Sequence, residues 1–167
     1  MFFKMTSNIT TNAVSSNRFR LFIILAWASW FLGSTQAVAQ VSLGWDKLAD
    51  VQFDLLWFEE HQTKFMVPRF GKTPNAFKGK KVRIKGYVIP IDPVKNQYVL
   101  SKVPMAMCFF CGSSGSETIV ELEMKKGFQG RYDTDDVVTF QGVLNLNSKD
   151  VMHFIYILKE AQEVKGP

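Results

Sequence analysis

The sequence predicts an all-β domain, a small five-stranded barrel with an irregular, aromatic-rich N-terminal arm. Three observations support this prediction. Five segments after residue 79 carry the apolar patterning of β-strands. Glycines interrupt the first and the fourth of these segments, and the connection before the fourth has the composition of a loop.

The first predicted strand alternates strictly from Lys81 to Val88 and continues to Ile91. The other four are Gln97–Val103, Glu117–Met124, Val137–Leu146 and Val151–Leu158. Residues 80–160 therefore form the predicted barrel, and residues 161–167 a polar tail. The side chains expected to point inward are Val82, Ile84, Val88, Val120, Leu122, Phe140, Phe154 and Tyr156.

Five strands with a glycine in a long first strand (Gly86) and another in the fourth (Gly142) are typical of the oligonucleotide/oligosaccharide-binding (OB) barrel. Gly142 predicts a bulge or a sharp bend. The helix that usually joins strands three and four of this barrel is not expected here, because Lys125–Asp136 contains two glycines and three aspartates. An open β-sandwich is the alternative.

The predicted arm, residues 40–79, is rich in aromatic residues and follows neither a helical nor a strand period for long. We expect it to wrap the barrel and to fill the edge of its core with aromatic side chains. A ligand-binding aromatic face is the alternative interpretation.

The first 39 residues have the pattern of a signal peptide. Residues 1–20 are polar and basic, residues 21–33 are apolar, and Ala37 and Ala39 fit the small-residue recognition of signal peptidase. We expect the mature chain to begin at Gln40 and to be periplasmic or secreted. An uncleaved membrane anchor is the alternative, although the apolar run is shorter than the ~20 residues that span a bilayer.

Charge gives no reason to expect a nucleic-acid partner. The formal net charge is +5, but three cations and no acids lie in the predicted signal, which leaves +2 for the mature chain. The basic residues around Lys78–Lys85 alternate with apolar ones, as on a solvated strand face. After signal cleavage we expect no stable membrane insertion.

The residues with chemical character are Cys108 and Cys111, in the segment Cys-Phe-Phe-Cys-Gly between the second and third strands. Three interpretations are open. The pair forms a disulfide, as nearby thiols tend to do in an oxidising compartment. It holds a zinc ion or another thiophilic metal, which requires further ligands. Or it carries out thiol–disulfide exchange, although no helix N-terminus is predicted beside it to activate a thiolate.

Two histidines could complete a metal site. His153 is the stronger candidate, so Cys108, Cys111 and His153 form the candidate ligand set. A lone histidine on an apolar strand is more commonly a hydrogen-bonded core residue. His61 follows two glutamates and looks like a solvated surface residue. A second copy of the chain could supply the remaining ligands.

Residues 77–91 and the segment Cys108–Gly112 resemble an exported bacterial family, domain-of-unknown-function family 3299, in its two-cysteine branch. The resemblance covers residues 45–164. It implies an exported domain related to metals, and a membrane partner of the ABC-transporter type. It implies no established activity, and the histidine of the family's other branch is missing here.

These observations favour a non-enzymatic, exported binding or accessory module that presents the cysteine loop to a metal ion or to a transporter complex. The alternative is a thiol oxidoreductase in which Cys108 is the nucleophile and Cys111 the resolving thiol.

Overall fold

The computed structural model describes residues 41–165, so the predicted signal peptide lies outside the described residues. Eight strands and one short helix are present in this part of the chain. The strands are β1 (Val41–Ser42), β2 (Val51–Phe58), β3 (Thr63–Phe70), β4 (Lys81–Asp92), β5 (Gln97–Ser101), β6 (Ile119–Met124), β7 (Val137–Leu146) and β8 (Tyr156–Glu163). The helix, α1, spans Lys72–Phe77.

Strands β4 to β8 close into a five-stranded barrel. The sheet order is β4-β5-β6-β8-β7, and β7 pairs back onto β4. All these pairs are antiparallel except β6–β8, which is parallel. The short strand β1 adds to the barrel in parallel with β4. The prediction of an all-β, OB-like barrel is therefore confirmed.

The barrel interior is filled as the alternation of the strands predicts. Seven of the eight residues expected to point inward are buried: Val82, Ile84, Val88, Val120, Leu122, Phe140 and Tyr156. The exception is Phe154, which is half-buried and packs against a second, smaller cluster. That cluster comprises Ile89, Val99, Ile119 and Cys108.

Gly142 sits at a register shift between β7 and β8, which confirms the predicted bulge. A Cβ atom at this position would lie 2.6 Å from the backbone oxygen of Lys159. At Gly86 a Cβ atom would lie 2.5 Å from the backbone oxygen of Ser101. Both glycines therefore permit close approach of neighbouring strands.

The predicted boundaries of the fifth strand are wrong. The strand runs over Tyr156–Glu163, and Val151–Phe154 belongs to the preceding loop. The side-chain amide of Asn147 donates to the backbone oxygens of Asp150 and Phe154, at 2.7 and 3.2 Å, and so folds this segment into a turn. The first three residues of the expected polar tail also belong to a strand, since β8 continues to Glu163 and buries Ala161. No helix or strand lies between β6 and β7, as predicted.

The arm packs on the barrel, but it is more regular than its sequence predicts. Leu43 and Leu48 are buried in the core, and the backbone oxygen of Leu48 accepts a hydrogen bond from the Tyr156 hydroxyl at 2.7 Å. The Trp45 indole donates to the backbone oxygen of Lys85 at 2.8 Å. Beyond Leu48, strands β2 and β3 form an antiparallel hairpin, and α1 leads from it into β4.

Candidate functional site

The cysteine loop, residues 102–118, connects β5 to β6 as predicted. It contains three single 3-10 turns, Met105–Met107, Phe109–Cys111 and Ser116–Thr118. Its two ends are tied together by a hydrogen bond from the Lys102 N–H to the Thr118 backbone oxygen, at 2.9 Å. The Asp135 carboxylate accepts from the Met105 N–H at 2.7 Å. The loop is therefore held by a hydrogen bond between its own two ends and by a second one to the connection between β6 and β7.

The two cysteines occupy opposite environments. Cys108 is fully buried and packs with Ile89, Val99 and Ile119. Cys111 is exposed, and its thiol donates to the Met105 backbone oxygen at 3.2 Å. Both are free thiols, so the disulfide that the sequence suggested is not formed in this structure. Cys108 behaves as a small apolar core residue.

The candidate ligand set is not assembled. Within residues 41–165, no group of three or more His, Cys, Asp or Glu side chains is arranged to hold a metal ion. Cys108, Cys111 and His153 are therefore not brought together as such a group. Metal binding at the cysteine loop stays a prediction.

His153 lies on the loop before β8 rather than on a strand, and its partner is an acid on β6. Its Nδ1 atom is 2.8 Å from Glu121 Oε1. The other carboxylate oxygen of Glu121 accepts from the Phe154 N–H at 3.1 Å. The hydrogen bond from Glu121 raises the pKa of His153, and the charges of Glu121 and Asp150 act in the same direction. Glu121 therefore fastens this loop to the barrel wall.

Three phenylalanines join the cysteine loop to the loop before β8. Phe109, Phe110 and Phe154 contact one another edge to face, with ring centroids 5.9 to 6.1 Å apart. Phe109 and Phe110 nevertheless remain 37% and 46% exposed. Both rings are therefore partly in solvent.

A groove of about 570 Å³ opens beside this cluster. Three segments line it: the hairpin, the cysteine loop and the loop before β8. The lining residues are Phe53, Phe65, Met66, Phe109, Gly115, Ser116, Glu117, Val151, Met152, His153, Phe154 and Ile155. The lining is mainly apolar, with a carboxylate (Glu117) and an imidazole (His153) among its polar groups.

Most of this groove could not be predicted from the sequence. The hairpin residues Phe53, Phe65 and Met66 belong to the arm, whose aromatic content was the only available signal. Glu121 could not be paired with His153, because 32 residues separate them along the chain. His61 lies exposed in the turn of the hairpin, where its ring contacts Phe65 at a centroid distance of 5.4 Å.

No protein-family model, curated protein or solved structure matches the chain. The resemblance to domain-of-unknown-function family 3299 therefore stays a prediction. Among the helices of the described residues, none has the length and apolar character needed to cross a membrane.

Proposed function

We propose that the protein is an exported, non-enzymatic binding or accessory module whose binding surface is the groove beside the cysteine loop. The observation that carries this proposal is the convergence of three separate segments on one apolar groove. Its volume lies within the range of about 300–1,000 Å³ that is usual for ligand sites. Glu117 and His153 would orient a polar group of an otherwise apolar ligand or peptide.

Exposed apolar residues of the cysteine loop support a macromolecular partner. Met105 and Met107 on the cysteine loop are exposed by 41% and 59%, next to the partly exposed Phe109 and Phe110. Methionine and phenylalanine are adaptable or large apolar residues that are enriched at interfaces. An ABC-type transporter complex, which the family resemblance implies, would be a partner of this kind.

Binding of an apolar probe tests the proposal. We expect 1-anilinonaphthalene-8-sulfonate to fluoresce with the native protein, and the signal to fall several-fold in Phe109→Ser, because this change removes an apolar wall. Val94→Ser is the matched control, since Val94 is 97% exposed and does not line the groove. Equal probe binding by the native protein and Phe109→Ser would contradict the proposal.

Export is part of the proposal and has its own test. The basic segment, the apolar run and Ala37 and Ala39 support cleavage before Gln40. We expect N-terminal sequencing of protein recovered from the periplasm to begin at Gln40. Recovery of residues 1–39 intact in a membrane fraction would contradict it.

Thiol–disulfide exchange is the second candidate, and the exposure of Cys111 is the observation that favours it. The roles would be the reverse of those that the sequence suggested. The Cys111 thiolate would attack one sulfur of a substrate disulfide, which forms a mixed disulfide and releases one substrate thiolate. The Cys108 thiolate would then attack the Cys111 sulfur, which releases the second substrate thiolate and leaves a Cys108–Cys111 disulfide. Reduction of insulin disulfides by the native protein with dithiothreitol, lost in Cys111→Ser, would support this candidate. A rate equal to that of dithiothreitol alone would exclude it for this substrate.

A further inference from the structure

The hairpin leaves large apolar side chains in solvent. Leu55, Leu56, Trp57 and Met66 are between 49% and 59% exposed. A two-stranded hairpin is marginally stable in water unless further strands or a packing partner cover it. Patches of this kind mark sites of association.

The register divides the hairpin into two faces. One face, which we call the apolar face, carries four residues of β2 and four of β3, all of them apolar except Lys64, which lies opposite Trp57: Val51, Phe53, Leu55, Trp57, Lys64, Met66, Pro68 and Phe70. The opposite face is polar at its base. There Arg69 donates to the Gln52 side chain at 2.8 Å and lies 3.5 Å from the Asp54 carboxylate.

The two edges of the hairpin are not equivalent. Gly71 donates its N–H to the Asp50 backbone oxygen at 2.8 Å. Hydrogen-bonded pairs alternate along an antiparallel ladder, so the backbone N–H and C=O groups of the even-numbered residues of β2 point towards β3. The backbone groups of Phe53, Leu55 and Trp57 therefore point away from β3, along the outer edge of β2. Pro68 is paired with Phe53 and lacks an N–H, so the outer edge of β3 misses a donor. Only the β2 edge offers an unbroken row of backbone groups.

We propose that β2 pairs with β2 of a second copy, antiparallel and centred on Leu55, to form a four-stranded sheet across the dimer. This register is self-complementary, as a twofold interface requires. Leu55 meets Leu55 of the other copy, and each Phe53 meets a Trp57, so the two apolar faces become continuous. Each Asp54 lies opposite an uncharged Leu56 and keeps its own Arg69 nearby, so like charges do not oppose each other.

An extended peptide of another protein could add to the same edge, but the charges favour a second copy. The residues of β2 carry one charge, Asp54, and that charge already has a cation on its own hairpin. A twofold pairing leaves this ion pair intact on both copies, whereas nothing on the edge selects a charged foreign strand. Association with a different protein is therefore an outcome that the experiment must separate.

Sedimentation velocity tests the pairing. The protein is expressed as the full chain, including its N-terminal segment, and is purified from the periplasm. We expect the mass to double between about 1 and 100 µM protein. Leu55→Lys and Leu55→Glu should each be monomeric, because like charges would meet on the twofold axis. An equimolar mixture of the two variants should be dimeric again, because opposite charges then meet.

Val94→Lys is the matched control, because it adds the same charge at a residue that is 97% exposed and outside the hairpin. We expect it to dimerise like the native protein. The pairing would be overturned if the native protein stayed monomeric over this concentration range. It would also be overturned if Leu55→Lys, measured without Leu55→Glu, were dimeric. A mixture of the two charged variants that stays monomeric would overturn the register centred on Leu55. Neither result depends on ligand binding in the groove.

Discussion

The barrel buries its large apolar side chains, whereas the hairpin leaves several of its own exposed to solvent. In the barrel, Ile84, Phe140 and Leu158 are at most 1% exposed. In the hairpin, Leu55 and Trp57 remain more than half exposed. A closed barrel buries one face of every strand within a single chain, whereas a two-stranded hairpin has no second layer. The difference separates side chains that hold the fold together from side chains that are available for association.

The sharpest test of this comparison is truncation of one residue from each region. Ile84→Ala should lower the free energy of unfolding by ~2–5 kcal/mol, because it removes buried carbon atoms and leaves a cavity. Leu55→Ala should change it by no more than about half a kcal/mol. Urea unfolding followed by tryptophan fluorescence, at protein concentrations where the chain is monomeric, measures both. Equal losses in the free energy of unfolding at the two positions would contradict this difference between the barrel and the hairpin.

Crowding inside the barrel gives the next effect. Gly142→Ala places a Cβ atom 2.6 Å from the Lys159 backbone oxygen, so the backbone of β7 or β8 must shift. We expect a loss of about 1–3 kcal/mol in the free energy of unfolding. Gly44→Ala is the control, since the added methyl group meets the flexible side chain of Asp46 rather than backbone. If both substitutions cost the same, close strand approach is not the reason for glycine at position 142.

The barrel could be predicted because its strands alternate between apolar and polar residues, as in Lys81–Val88. The fifth strand was misplaced because Val151, Met152 and Phe154 are apolar but lie in a turn that the Asn147 side chain organises. In this segment the hydrogen bonds from the Asn147 side chain to the backbone favour a turn over the strand that the apolar residues predict.

The hairpin escaped prediction for a different reason. Both faces of β2 carry large apolar residues near the turn, as Leu55, Leu56 and Trp57 follow one another, so no period of two is visible. The groove is a long-range product of the topology, since the hairpin wall and the loop before β8 are far apart in sequence. The motif of two cysteines indicated the right loop but not the burial of Cys108.

The same contrast between a buried and an exposed side chain is found within the cysteine loop, where Cys108 is buried and Cys111 is exposed. Cys108→Ser should lower the free energy of unfolding by about 1–3 kcal/mol, because the hydroxyl would be buried among Ile89, Val99 and Ile119. Cys111→Ser, on the exposed side, should change it by no more than about half a kcal/mol.

Thiol modification provides a second measurement on the same pair. In the native protein without reductant, N-ethylmaleimide should modify Cys111 rapidly and Cys108 only after unfolding. Resistance of both thiols until reductant is added would instead indicate a disulfide between them.

The smallest expected effect concerns the loop before β8. Glu121 raises the pKa of His153 above its ordinary value of 6.5, by hydrogen bonding first and by charge second. Below the pKa of the unfolded state the imidazole is protonated in both states, so the stabilisation from its pairing with Glu121 is fully present. It is lost as the pH rises through the higher pKa of the folded state. Because His153 is half exposed, we expect the contribution to be no more than about 1 kcal/mol.

Urea unfolding of the native protein and His153→Asn at pH 5.5 and at pH 8 measures this contribution, which should be larger at pH 5.5. His61→Asn is the control for removing an exposed imidazole, because His61 lies on the hairpin and not against a carboxylate of the barrel. A difference between native protein and His153→Asn that is constant with pH would show that Glu121 holds the loop through the Phe154 N–H alone. A larger difference at pH 8 would reverse the sign of the linkage and contradict the assigned pairing.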